Sequence, residues 1–290
     1  MKLSRFYNLI VKFGTDRDPR RNKEAIKSYS DTAILYGKPD TEINKILVGV
    51  DMEVGELLLA DRIRQKDGLD LALSHHPEGK AYVLLHEVMQ LQVDLLKQAG
   101  LSELVAQKLL NTRMAEVERR VLPQNHERCV DVARILNMPF MCMHTPADNH
   151  VYWYLKKLML EKKPKLIQNV IDILLEIPEY RDAQKNKTGP ALILGSPKRK
   201  VGKIVFEMTG GTEGPKDVFD KLYKAGVRTL ISMHLSEDHL KKAKEANLNA
   251  IIAGHISSDS LGLNLLLDRI DRIEEIEVVG CSGFKRIKRS

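Results

Sequence analysis

The chain has 290 residues, 43% of them hydrophobic, and a formal net charge of +7; this is enough apolar material for a sizeable core and excludes disorder as the default state. The amino terminus, Met1 to Lys12, breaks its apolar character with charge too early for a signal peptide, and no apolar run reaches membrane-spanning length; the expectation is a cytoplasmic protein without a membrane partner. Three widely spaced cysteines, Cys129, Cys142 and Cys281, offer neither a disulfide framework nor a Cys-x-x-Cys knuckle, so a bound metal would be held by histidine and carboxylate.

In chain order, strands are predicted over Lys45–Asp51 and Leu69–Ser74. From about Tyr82 to Asn137 strand signals give way to helical periodicity, with a fresh helix start at Pro123 and an end at Met138-Pro139. This stretch is read as a helical insertion or lid. Further strands are predicted over Pro139–Met143, Ala191–Leu194, Ile204–Met208, Thr229–Ser232, Ala250–Ala253 and Glu277–Val279. The alternation of strand and helix predicts an α/β fold. A polar stretch from Glu179 to Pro190 is read as a linker, which divides the chain into a first α/β half, 1–185, containing the insertion at about 82–137, and a second, 186–290. The basic clusters Lys198-Arg199-Lys200 and Lys285 to Arg289 are read as solvated turns and a solvated tail, with a phosphate-attracting surface as the lesser alternative.

The two halves echo one another. An amphipathic helix, an Asn, a short apolar strand and a His-x-x-x-Asp occur in each, ending in His144 and Asp148 in the first and His255 and Asp259 in the second. In α/β sheets ligands gather beyond the carboxyl ends of strands, and these residues fall there. So does a third segment, Ser74-His75-His76-Pro77-Glu78. Neighbours on a regular strand point to opposite faces, but once Pro77 has bent the chain both imidazoles can lean over one rim, one for each of two metal ions. A four-residue spacing at a helix start lets His and Asp face the same side, and either Asp148 or Asp259 has the two oxygens needed to bridge two cations. Singly, each residue also reads as a cap or a favourable charge on a helix dipole; together they predict a metal centre. Imidazole with carboxylate suits Zn, Fe, Mn, Co or Ni.

Weaker candidates are Thr209-Gly210-Gly211 through Pro215, an anion cradle or a tight turn, and His234, Glu237, Asp238 and His239, which line a crevice or simply open a helix. His86 and His126 fall in the insertion and are read as surface or core residues. Tyr152, Trp153 and Tyr154 are read as packing or oligomer contacts.

The pieces Ile46 to Asp51, Ser74-His75-His76-Pro77, His144 to Asp148, Thr209-Gly210-Gly211 and Ala253-Gly254-His255 with an acid four residues on resemble, in order and spacing, the Nif-three-like dinuclear-metal family, also labelled type-2 homologs of GTP cyclohydrolase I. The resemblance runs from about Ala33 onward, apart from the insertion. It implies two divalent transition-metal ions on His75, His76, Asp148, His255 and Asp259, with His144 at the edge as ligand or supporting group, and a ring-shaped homohexamer. This chain has Asp259 where the family usually has Glu, and Glu-Gly-Lys after Pro77 where it has apolar aromatics. The expected function is a metal-dependent hydrolase acting on a nucleotide or other phosphate-bearing small molecule, with His144 or Glu78 carrying the proton. The alternative is a ring-forming regulatory or scaffold protein with structural metals and protein partners; nucleic acid is a lesser candidate partner.

Overall fold

The structure of the chain is a computed structural model and describes residues 1–289. Helix α1 (Leu3–Arg17) buries Leu3, Phe6, Ile10 and Phe13, an apolar stripe at helical spacing. It is followed by β1 (Thr32–Tyr36), β2 (Lys45–Gly49), α2 (Val54–Asp67) and β3 (Leu71–Ser74). The residues of β3 are all buried, as are Ile46 to Gly49 of β2, which is why these strands read as continuous apolar runs.

The expected insertion is helical throughout: α3 (Gly79–Val83), α4 (Leu85–Val88), α5 (Leu91–Ala99), α6 (Glu103–Val121) and α7 (Arg128–Leu136). Ser102 caps α6 by accepting from the Val105 amide, and Asn137, at φ 51°, closes α7. Then come β4 (Phe140–Met143), α8 (Thr145–Lys162), α9 (Ile167–Leu174) and α10 (Pro178–Lys185). The polar stretch read as a linker therefore opens with a helix, anchored by the fully buried Tyr180 whose hydroxyl lies 2.9 Å from Ser258 Oγ. Its surface residues are polar, and that polarity hid the helix. The chain continues through β5 (Ala191–Leu194), β6 (Lys203–Glu207), α11 (Phe219–Lys224), β7 (Val227–Ser232), α12 (Glu237–Glu245), β8 (Asn249–Ile252), α13 (His255–Asp271) and β9 (Glu277–Cys281).

The strands form two mixed sheets, ordered β1-β4-β3-β2-β9 and β5-β8-β7-β6. Each is parallel except for one antiparallel edge strand, β1 against β4 and β5 against β8. The final strand thus returns to the first sheet. Most of the insertion covers the second sheet, where Met89, Val93, Leu96 and Leu110 pack with Phe219, Leu222 and Leu230, while α7 returns to the first, with Cys129 and Ala133 against Ala72 and Phe140. Helices α8 and α13 lie against each other at Gly262, where an added Cβ would stand 2.6 Å from the Ala147 carbonyl oxygen and 2.8 Å from Val151 Cγ2. Only a residue without a side chain lets the two helices approach this closely.

In the basic run at the end the two arginines are tied down, while Lys285 and Lys288 stay exposed. Arg286 bonds Asp268 at 2.7 Å and Asp271 at 2.9 Å, and Arg289 reaches the buried carboxylate of Glu179. Among the described residues no helix is long and apolar enough to cross a membrane.

Candidate metal centre

Three strand ends deliver the site. At the end of β3, the His75 amide donates to the Gly49 carbonyl and the His76 amide to that of Val50, both at 2.9 Å, so the chain runs on beside β2 for two residues after the strand. His75 and His76 lie on one rim with ring centroids 5.3 Å apart. Beyond β4, His144 caps α8 and Asp148 lies one turn in; beyond β8, His255 opens α13 with Asp259 one turn in. Because α8 and α13 touch, both carboxylates meet the His pair. His75 Nε2 is 3.4 Å from Asp148 Oδ1 and 3.4 Å from Asp259 Oδ1, while Asp259 Oδ2 is 3.6 Å from Nε2 of both His76 and His255. His144 Nε2 is 3.7 Å from Asp148 Oδ2.

These side chains form three groups whose candidate ligand atoms lie within 4.8 Å of one another: His75, Asp148 and Asp259; His76, His255 and Asp259; and His75, His76 and His144. Asp259 is common to both groups that contain a carboxylate, one oxygen toward each. Four donors about 2.1 Å from one tetrahedral ion stand roughly 3.4 Å apart, the separation seen here. The donor set also has the signature of ligands rather than of a salt-bridge network, since His75 Nε2, Asp148 Oδ1 and both Asp259 oxygens are buried without a hydrogen-bond partner. These residues fit metal ions.

The outer supports fix which nitrogen faces the centre. His75 Nδ1 donates to the Met143 carbonyl at 3.1 Å, His76 Nδ1 to Asp51 at 2.7 Å and His144 Nδ1 to Asp31 at 2.8 Å. Each leaves Nε2 free for coordination, the usual device at a metal-bound histidine. Asp31 also accepts from the amide and hydroxyl of Thr145. Burial disfavours charge on His75, but Asp259 and Asp148 outweigh it and raise its pKa to about 10. Burial likewise opposes the Asp259 carboxylate, yet His75, His255 and His76 hold it at about 2.

All five ligand candidates and His144 are brought together; Glu78 is not in the cluster. Its carboxyl lies by Cys129 and Arg128, and burial, aided by Glu53, pushes it up to about 7. His234, weighed in the sequence only as a crevice residue, stands with its ring 4.9 Å from that of His255 and its Nδ1 3.4 Å from Glu213. His239 is structural, bonding Ser236 Oγ and the Gly214 carbonyl. The glycine loop is a packed turn: Gln92 of α5 donates to the carbonyls of Gly210 and Thr212, and a Cβ on Gly210 would meet Gln92 Cγ at 2.8 Å. Sequence reasoning passed over Asp31, because the strand it precedes carries no continuous apolar signal and its pairing with the His144 loop appears only in space.

The fold and site together define a two-sheet α/β protein with clustered His and Asp side chains able to coordinate metal ions. No protein-family model matches the sequence, and no curated protein matches it. Among solved structures, a NIF3 superfamily protein from Sphaerobacter thermophilus matches with a TM-score of 0.77 and 25% identity, over 94% of this chain and 97% of that one. Reduced HcgD from Methanocaldococcus jannaschii matches at TM-score 0.59 and 14% identity, over 97% of each chain. TTHA1606 from Thermus thermophilus matches at TM-score 0.54 and 13% identity, again over 97% of each, and like HcgD it speaks for the fold alone. The chain is a structural homolog of the NIF3 superfamily.

Proposed function

We propose that this chain is a metal-dependent hydrolase that holds two divalent transition-metal ions, Zn, Fe, Mn, Co or Ni, on His75, His76, Asp148, His255 and Asp259. The observation that carries this reading is the set of buried, unpartnered ligand atoms opening on a cleft that His144, Asp148 and His255 line. Bound there, the ions would supply Lewis acidity, acidifying water and polarising the group to be cleaved. The chain's own residues do the rest. Asp31 and Asp51 orient His144 and His76, while the burial of Asp148 and Asp259 keeps competing water from their oxygens.

For a proton carrier the reading has two residues. His144 stands at the cluster, where burial opposes its charge but Asp148 and Asp31 raise its pKa above the ordinary value. Glu78 titrates near neutrality one residue beyond Pro77 but faces Cys129 rather than the ligands. We take the substrate to be a phosphate-bearing small molecule, a nucleotide among the candidates, the protein to be cytoplasmic, and its assembly to be the homohexamer implied by the family resemblance.

The test is metal content by mass spectrometry on untagged protein, for wild type, His75→Ala and Asp259→Ala, with molecular mass in solution and turnover of p-nitrophenyl phosphate measured on each. Two ions per chain, lost in the variants together with turnover while assembly persists, support the hydrolase. Metal loss that dissolves the assembly supports the scaffold alternative, and a wild type that neither retains nor rebinds metal overturns the proposal.

A further inference from the structure

The cleft beside the metal centre has a composition of its own. One end is formed by His144, Asp148 and His255; the walls are apolar, with Leu95 and Leu96 of α5 facing Phe206 and Met208 of the second sheet. No lysine or arginine among the described residues lines it, whereas Glu207 and Glu213 do. The chain's excess of positive charge lies elsewhere, and a polyanion entering here would meet carboxylates. The cavity measures ≈ 70 Å³. A water needs about 10–15 Å³ on this measure, so the cavity admits one small group of a ligand, a ring or a branched aliphatic end, while the rest of the ligand lies in the open cleft.

The two carboxylates are not equivalent. Burial alone would raise Glu213, but His234 and the Ser236 amide, which donates to its Oε1 at 2.6 Å, hold it down at about 2. Glu207, at the end of β6, has a buried Oε2 with no hydrogen-bond partner. Burial, with Glu213 adding repulsion, pushes its carboxyl up to about 7. An unpartnered buried oxygen is costly, and a donor arriving with a ligand would relieve that cost.

We propose that this cavity is the specificity pocket of the site: it takes a single apolar ring or branched aliphatic group that is neutral or cationic and presents an N–H to Glu207, with the reacting group extending toward the His/Asp cluster. The inference rests on the reading of that cluster as the reaction centre and narrows the substrate class to molecules that carry such a ring or branched group with an N–H donor. It also gives the helical insertion a function. Leu95, Leu96 and Gln92 come from α5, so the insertion builds the wall that sets the size of the pocket.

The experiment is calorimetric titration of metal-loaded protein at pH 8 with cyclopentylamine and cyclopentanol, which fill about the available room and differ in the charged donor. A charge-assisted hydrogen bond to Glu207 should make the amine bind about tenfold more tightly. Glu207→Gln should abolish that preference, and Leu95→Trp, which fills the cavity, should abolish binding of both, with thermal unfolding confirming that each variant is folded. Equal binding of the two probes, a preference that survives Glu207→Gln, or binding that survives Leu95→Trp overturns the assignment. The outcome is separable from the hydrolase reading, because these probes are not hydrolysed and turnover of p-nitrophenyl phosphate is scored independently.

Discussion

Helices α8 and α13 begin with the same His-x-x-x-Asp but hold it differently. His144 is buried, anchored through Nδ1 to Asp31, and pinned again by the Thr145 bonds to the same carboxylate. His255 has a side chain 40% exposed, makes no hydrogen bond among the described residues, and is lowered in pKa by burial that Asp259 only partly offsets. The carboxylates reverse the order: Asp148 reaches two imidazoles, whereas Asp259 reaches three. The α8 side is therefore a fixed wall and the α13 side a hub whose histidine sits at the mouth. Equal letters give unequal roles when the residues around them differ.

The sharpest way to break the comparison is to remove each carboxylate. Asp259→Ala should strip both ions, because it serves both carboxylate-containing groups, while Asp148→Ala should retain about one; metal analysis after exhaustive dialysis distinguishes them, and equal retention would erase the asymmetry. Next, His255→Ala, which removes a ligand, should lower metal affinity more than Asp31→Asn, which only frees His144 at the edge and should cost roughly tenfold, as read by competition with a chelating dye. Gly262→Ala tests the contact that brings the two starts together. Overpacking against Ala147 and Val151 should cost about 1–3 kcal/mol in chemical denaturation and loosen metal binding in parallel.

The smallest expected effect is graded. His75 carries a pKa raised to about 10, so the metal-free centre is protonated at neutrality and uptake must release that proton. Metal affinity should thus rise with pH from neutrality toward about 10, with protons released on binding. The sign for the metal-free protein is opposite: the stability contributed by the protonated pair is full below the ordinary histidine value and fades as pH rises through the raised one. A pH-independent affinity would place the His75 proton elsewhere.

Much of the candidate site was legible because metal-coordinating side chains must be particular residue types, and His75, His76, Asp148, His255 and Asp259, read at strand ends, are brought into one cluster. The strands of the buried sheets were legible for a related reason, being short apolar runs. What the sequence concealed was partnership. Strand β1, Thr-Ala-Ile-Leu-Tyr, is an edge strand with mostly half-buried residues and lacks the continuous apolar signal of β2 or β3. Helix α10 reads as polar linker because only Tyr180, Glu179 and Ala183 face inward. Glu78 stands two residues beyond the His pair in sequence, yet its carboxyl lies by Arg128 and Cys129 of α7, a pairing across the insertion that no local pattern announces. The residues after β7 read equally as crevice lining or as the opening of a helix, but in space His234 is brought to His255.

The return of β9 to the first sheet has a consequence for how the molecule assembles. Lys45 pairs with Glu277 and Gly49 with Cys281, contacts between strands that the whole second sheet separates along the chain. Such high contact order slows folding, because a long loop must be closed before the pairing rewards it. It also ties the fate of the two sheets together. A cut within the stretch after α10 would leave two fragments still stitched by β9 and α13, and neither fragment alone would own a complete first sheet. We therefore expect a nicked chain to remain associated and to unfold as one cooperative unit, with the candidate ligand cluster, drawn from both sides of the cut, lost in that same transition.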